Sequence, residues 1–462
     1  METGIRKYIG NRKFYRRLMG IAVPIMVQNA ITNFVSLLDN IMVGQIGTEE
    51  MSGVAIVNQL MFVFFLTIFG GLSGVGIFTA QYYGQRDDEG IRHTFRYKLW
   101  MGAILTVIAV LVFLFFGERL IRLFLNGDAS AGNVDEALMH GKTYIDIIMY
   151  SMPAVAISFS YTGTMRDCGK TVMPMVSGII AVLTNLVLDY VLIFGKFGFP
   201  KLGVAGAATA TVIARYIEMA VVVIWCHTHT KIYTYVKGLY RTMLVPWRMV
   251  KEFFIKGMPI LINETIWSIG MSTLVQCYSM RGMEAVAALN ISNTISNLLN
   301  VVFIAMGDAV AIIVGQLLGA GKMEEAKSTD TKIIAFAFAS GFIVSIGLFI
   351  ASFFFPGLYN TSEEVQSLAA SFMLIQAIFM PQIAILHTSY FTLRSGGKTM
   401  ITFAFDSGVL WLLSIPTAFV LSRFTGIGVI WIITIVNLLD CVKCAVGLIL
   451  VKKNTWMQTI TV

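Results

Sequence analysis

MPAVAISFSYTGTMRDCGKT, residues 152–171, returns at residues 380–399 as MPQIAILHTSYFTLRSGGKT. Nine of the twenty positions are identical, including Arg166 over Arg394 and the closing Gly-Lys-Thr. A second block repeats at an offset of 235 without a gap. Pro24 falls on Pro259, Ile25 on Ile260, Gly47 on Gly282, Glu49 on Glu284, Asn58 on Asn293, Gln81 on Gln316 and Gly84 on Gly319. Self-similarity at a long fixed offset marks a duplicated structural unit. The chain is therefore predicted to hold two halves built alike.

Composition says what each half is made of. Of 462 residues, 56% are hydrophobic and only 13% are charged, against roughly 25% charged in soluble domains. The mean hydropathy is +0.76. A chain this apolar must satisfy its backbone inside helices, so an all-α polytopic membrane protein is expected. Twelve apolar runs have spanning length, near 18–43, 54–82, 97–117, 141–165, 172–194, 204–226, 252–279, 288–318, 331–355, 366–393, 399–421 and 427–451. Six fall in each half. An even number means that both halves enter the bilayer from the same side, so the predicted lobes are related by a pseudo-two-fold axis along the membrane normal. The expected division is an N-lobe over 1–226, a connection over 227–251 and a C-lobe over 252–462.

The net charge of +8 does not point to nucleic acid, because Lys and Arg cluster in short segments between the apolar runs. With the N-terminus placed in the cytoplasm, 25 of the 34 basic residues fall in inward segments and seven in outward loops. That bias places both termini inside. The five cysteines form no disulfide framework and read as packing residues. The opening METGIRKYIGNRKFYRR lacks the short apolar core of a removable leader.

Ionisable groups inside membrane segments are functional candidates, since each costs on the order of 2.5–3.5 kcal/mol at the helix centre. Asp39, in NFVSLLDNIMVGQIG, lies near the outer end of the first run. Asp189, in TNLVLDYVLIFG, lies near the outer end of the fifth, which runs in the same direction. Asn185 is one turn before Asp189 on the same face. Thr209 and Thr211 begin the sixth run. Two carboxylates with amide and hydroxyl oxygens suit a proton or a hard cation such as Na⁺. Glu264, mid-way along the seventh run, and Asp308, in the eighth, are candidates for substrate or ion binding. Arg215 with Glu218, and Asp440 with Lys443, have the three-residue spacing of local ion pairs. Pro24 and Pro259 lie inside their runs and are candidate hinges. The repeat counterpart of Asp39 is Leu274, so the carboxylate is not duplicated.

Other motifs carry less. GLSGVG (71–76) has no strand before it and reads as close helix packing. His227 and His229 lie in the connection, and Cys441 and Cys444 lack the further ligands that zinc needs. Neither a nucleophile–base spacing nor a metal cluster is present that would make the chain an enzyme.

LLDNIMVGQIG on the first run, AQYYGQ closing the second, RDCGKT after the fourth, NLVLDYVLIFG on the fifth and LGVAGAATAT opening the sixth together resemble the multidrug and toxic compound extrusion (MATE) family over essentially the whole chain. The resemblance implies a V-shaped two-lobe antiporter that exports organic, often cationic, compounds against inward H⁺ or Na⁺. It implies an N-lobe coupling site at Asp39, Asn185, Asp189 and Thr211, with Glu264 matching the glutamate of one subgroup. That subgroup's further aspartate corresponds here to Ile383. The expectation is alternating access by a monomer in the cytoplasmic membrane, with small amphipathic or cationic substrates, no nucleic acid and no cofactor beyond the coupling ion. The rival within transport is a flippase for a lipid-linked saccharide, which calls for a strongly cationic cavity.

Overall fold

A computed structural model describes residues 7–125, 134–359 and 361–461. The side chains at 35–37, 39–41, 48, 124, 125 and 283 lie outside the described set. Each of the twelve predicted spans lies in helix except for at most three residues at one end, although the helices extend up to nine residues beyond the predicted bounds, and the described residues contain no strand. In chain order the helices are α1 (Arg12–Gly44), α2 (Thr48–Gln85), α3 (Asp88–Leu125), α4 (Val134–Ile148), α5 (Met152–Asp167), α6 (Val172–Phe194) and α7 (Val204–Thr228). They continue as α8 (Trp247–Ser279), α9 (Met283–Gly319), α10 (Met323–Ser352), α11 (Glu363–Ser395), α12 (Thr399–Val409), α13 (Ile415–Phe424) and α14 (Val429–Lys452).

Two predicted spans are each made of two pieces. A short 3-10 turn, Met149–Ser151, joins α4 to α5. A π-helical turn, Leu410–Ser414, joins α12 to α13. Both junctions stand next to a proline at the start of the following helix, where the missing N–H is least costly. Among the described residues, ten helical spans are long and apolar enough to cross a membrane. Neither α1 nor α8, each 33 residues long, is among those ten; α1 has side chains outside the described set, and α8 has a polar centre. The middle of α8 carries Asn263 and Glu264, which lower its mean apolarity and which the site below accounts for. Pro24 and Pro259 both lie inside continuous helix.

Residues cluster into two compact units that are not contiguous in sequence. One contains Val27–Thr79 and Asp88–Glu252; the other contains the described part of Met1–Met26, Ala80–Asp87 and Phe253–Val462. The 27–252 unit is centred on fully buried Val57, Ile68, Ile121, Met152, Ile193 and Ala208. In the other unit, one apolar cluster holds Leu18, Ala22, Phe303, Ala309, Ile333 and Leu393. A second holds Leu274, Ala288, Phe372 and Ile432. Leu274, the counterpart of Asp39, is thus a core residue.

Within this second unit the repeat is visible as reciprocal contacts. A Cβ at Gly84 would collide with the Gln316 carbonyl, and a Cβ at Gly319 with the Gln81 carbonyl. Gln81 and Gln316 are repeat partners, as are Gly84 and Gly319. Such an exchange is what a two-fold relation between the end of α2 and the end of α9 produces, and only glycine lets the two backbones approach so closely.

The tail after α14 packs against the same unit. Trp456 is 1% exposed, and its Nε1 donates to Val451 O at 3.0 Å. Gln458 Nε2 donates to Gly396 O at 2.6 Å, and Thr459 Oγ1 to Leu318 O at 3.0 Å. Gln81 Nε2 donates to Ser395 O at 3.1 Å, while its Oε1 accepts Ile460 N–H at 2.8 Å. Removing a fully buried indole costs about 3–5 kcal/mol. Trp456→Ala is therefore expected to lower thermal stability sharply, and a midpoint within experimental error of wild type would show that the tail does not hold its unit together.

Candidate functional site

The small residues that open α7 create the first cluster. Gly206, Ala207, Ala208 and Ala210 are buried, and a Cβ at Gly206 would lie 2.7 Å from the Leu192 carbonyl. α7 therefore packs closely along α6. Apolar helices at this distance leave little room for water, so any polar group between them must find a partner. Asn185 is 8% exposed and Asp189 2% exposed, one turn apart on the buried face of α6. Asn185 Nδ2 donates to Thr211 Oγ1 at 3.3 Å. The Thr211 hydroxyl donates in turn to Ala207 O at 3.1 Å. Thr209 is turned to its own helix, donating to Ala205 O at 2.7 Å.

Three of the four predicted coupling residues thus lie on two adjoining helices of the 27–252 unit. The backbone of Asp39 lies in α1 and in the same unit, but its side chain is outside the described residues. The same unit holds Arg166, which donates to Gln28 Oε1 on α1. It also holds Lys98, 1% exposed and bonded to Asp167 at 2.6 Å.

A second polar cluster occupies the other unit and is larger than the sequence indicated. Glu264, on α8, lies 3.9 Å from the Arg394 guanidinium of α11 and accepts the Tyr390 hydroxyl at 3.4 Å. Its neighbour Asn263, 1% exposed, donates to Asp406 Oδ2 at 3.1 Å and to the Tyr390 hydroxyl at 3.3 Å. Asn263 Oδ1 accepts the Ser407 hydroxyl at 2.6 Å. Lys443 of α14 closes the network on Asp406 Oδ1 at 2.8 Å. Its spacing partner Asp440 lies further off, at 3.9 Å. The local pair expected for Asp440 and Lys443 is present, but the shorter contact is with Asp406 on another helix. Arg215 and Glu218 do form the expected local pair, at 2.9 Å. Asp308, on α9, lies within electrostatic reach of Glu264.

Spacing missed Asn263, Tyr390 and the Asp406–Lys443 pair. The repeat held a usable signal: Gln28 aligns with Asn263 and Arg166 with Arg394. Each arginine meets the same stretch of the first helix in its half, at Gln28 in one and at Glu264 in the other. Asp330 on α10 was also missed; it is 1% exposed and accepts the Thr392 hydroxyl at 2.5 Å. The two histidines at the end of α7 are held by aromatic groups. His227 Nε2 is 2.9 Å from the Tyr161 hydroxyl, and His229 stacks on Trp225 with centroids 3.8 Å apart.

A family model described as MatE matches residues 24–191 and 259–420. Those two blocks begin at the repeat partners Pro24 and Pro259. The chain is 24% identical over 439 residues to the probable multidrug resistance protein YoeA of Bacillus subtilis, covering 94% of this chain and 93% of that protein. It is 25% identical over 429 residues to the probable multidrug resistance protein NorM of Thermotoga maritima, covering 90% and 88%. A crystal structure of MATE in the bent conformation aligns with a TM-score of 0.85 at 19% identity, covering 98% of both chains.

Proposed function

The chain belongs to the multidrug and toxic compound extrusion family, whose MatE model it matches, and from that premise we propose that it is a multidrug efflux antiporter. It exports amphipathic, often cationic, organic compounds in exchange for H⁺ or Na⁺. It works as a monomeric, multi-pass protein of the cytoplasmic membrane with both termini inside. Twelve spanning helices form two six-helix lobes, and cargo passes between them by alternating access, with Pro24 and Pro259 as hinges.

The buried carboxylate Asp189, one turn from the Asn185–Thr211 hydrogen bond, is the observation that carries the coupling part. A carboxylate kept between tightly packed apolar helices has a large desolvation cost. A proton or a small cation offsets that cost, and hydroxyl and amide oxygens one turn away extend the ligand set. Entry of the ion at Asp39, Asn185, Asp189 and Thr211 and binding of drug then act on one conformational equilibrium. Their coupling is reciprocal: whatever the ion does to drug affinity, drug does to ion affinity.

The second cluster supports a cationic cargo over a lipid diphosphate. Its two bases, Arg394 and Lys443, are matched by Glu264, Asp406 and Asp440, so it holds no surplus positive charge for a flippase substrate. Glu264 and Asp308 stand as its candidate ligands for cargo or ion.

Purified protein in sealed vesicles tests the reading. Dye efflux should be driven by an imposed H⁺ or Na⁺ gradient and should collapse when that gradient is dissipated. Binding of a lipid diphosphate without any transport of cationic dyes would reverse the assignment.

A further inference from the structure

The connector between α7 and α8 together with the first turns of α8, HTKIYTYVKGLYRTMLVPWRMVKE (229–252), is too basic and too firmly held to be a passive link. Its inner side chains Tyr233, Tyr235, Val236 and Leu239 are all buried. Two arginines of α3 clasp its backbone. Arg96 donates to Leu239 O at 2.9 Å and to Gly238 O at 3.1 Å. Arg92 donates to Lys237 O at 3.1 Å. Thr234 Oγ1 donates to Asp88 at 2.9 Å, and Trp100 Nε1 to Met243 O at 3.0 Å. Gly238, at φ +79, makes the turn that presents those carbonyls to α3.

With the inner face fixed, the outer face has a defined composition. Lys231, Lys237, Arg241, Arg248 and Lys251 are all exposed, and Glu252 is the only acid in the segment. Large apolar side chains stand among them: Leu244 and Trp247 are each 78% exposed, Tyr240 53% and Ile232 52%. Clustered bases alone would suit any polyanion. Bases interleaved with exposed leucine and tryptophan, on a strap between two spanning helices, suit a surface that is anionic at the headgroups and apolar just beneath.

We propose that residues 231–251 form a binding strap for anionic phospholipid. The ammonium and guanidinium groups take headgroup phosphates, and Leu244 and Trp247 enter the acyl boundary. Because the strap is clasped before any lipid arrives, little ordering is needed on binding. Each base near such a surface contributes on the order of a five-fold gain in affinity at moderate salt, and the gain fades as salt shortens the Debye length.

Full-length protein in neutral detergent, titrated with phosphatidylglycerol or phosphatidylcholine and followed by native mass spectrometry, tests the strap without reference to transport. Phosphatidylglycerol should bind preferentially. The variant Lys231→Gln/Arg241→Gln/Arg248→Gln should lose on the order of 100-fold of that preference. Leu244→Ala/Trp247→Ala should weaken both lipids alike. These positions are exposed, and an unchanged lipid-free unfolding midpoint confirms the fold of each variant. Equal binding of the two lipids by wild type, or full preference in the triple variant, would overturn the proposal. So would binding of a short RNA in place of phosphatidylglycerol, which would mark the strap as a site for soluble polyanions. Loss of efflux in vesicles has no bearing on these outcomes, so the two readings fail separately.

Discussion

Asp189→Asn is expected to lower gradient-driven efflux by about 10- to 100-fold while leaving the protein folded. The substitution keeps shape and removes only the charge. Hydrogen bonds and ion contacts to a charged buried group are worth about 1.5–3 kcal/mol, and each 1.36 kcal/mol is a factor of ten. Asp189 is 2% exposed, so water cannot take over the role of the lost carboxylate. Asn185→Ala removes the neutral hydrogen bond of 3.3 Å to Thr211, and Thr211→Val removes that bond together with its own 3.1 Å bond to Ala207 O. Each is expected to cost about 1 kcal/mol, a few-fold in rate. The ordering matters more than the absolute values. If the carboxylate binds the ion and its neighbours only assist, Asp189→Asn must exceed both neutral variants. It must also lose the dependence on the imposed gradient, not merely on total protein. Vesicle efflux with H⁺ and Na⁺ gradients applied separately measures this, with thermal unfolding as the fold control. Coupled efflux at the wild-type rate in Asp189→Asn would move the coupling away from α6 and toward the network around Glu264.

The helices were readable because their signal is local. Apolar runs of spanning length have one economical backbone solution in a bilayer, and the duplicated blocks follow from the residue string alone. The shared face of Asn185 and Asp189 on α6 was readable for the same reason, since they are one turn apart. What spacing could not supply is partner choice across helices. Lys443 has Asp440 three residues before it, and an i,i+3 rule selects that acid. The fold instead brings Asp406 to 2.8 Å and leaves Asp440 at 3.9 Å. Asn263 shows the same limit. One buried amide in an apolar helix has many explanations until Asp406, Tyr390 and Ser407 are found around it. The two compact units also depart from chain order, because Ala80–Asp87 and the start of α1 pack with the second half of the chain. No hydropathy pattern records which residues pack together at a helix end. Only the glycine pair Gly84 and Gly319, matched by the repeat, hinted at it.

Lys443→Met should destabilise the protein by less than the roughly 3–5 kcal/mol of breaking a fully buried pair, because Asp406, the carboxylate left behind, keeps 19% of its side chain exposed. Lys443 is 5% exposed and its ammonium is the nearest cation to Asp406. Methionine fills nearly the same space, so the effect reports charge and not a cavity. Among the described residues Asp406 would then keep the Asn263 amide at 3.1 Å, which stabilises a carboxylate but does not neutralise it. Asp440→Asn removes a more exposed carboxylate, 37% accessible in its side chain, and should cost less than about 1 kcal/mol. The double variant Lys443→Met/Asp406→Asn removes both charges together and should recover most of the loss, since a paired neutral replacement avoids the desolvation that each ion requires. Thermal unfolding of wild type, Lys443→Met, Asp406→Asn and the double variant closes a double-mutant cycle, and residues in one network should show coupling of about 0.5–3 kcal/mol. A cost for Lys443→Met no larger than that for Asp440→Asn would mean that Asp406 is not held by Lys443. Efflux by the double variant then separates support from function. If the pair only braces α8 against α12 and α14, transport returns with stability. If Glu264 needs a charged neighbourhood to meet its cargo or ion, stability returns and transport does not, because Asn263 and Tyr390, which connect Asp406 to Glu264, would be in place without the charge they connect.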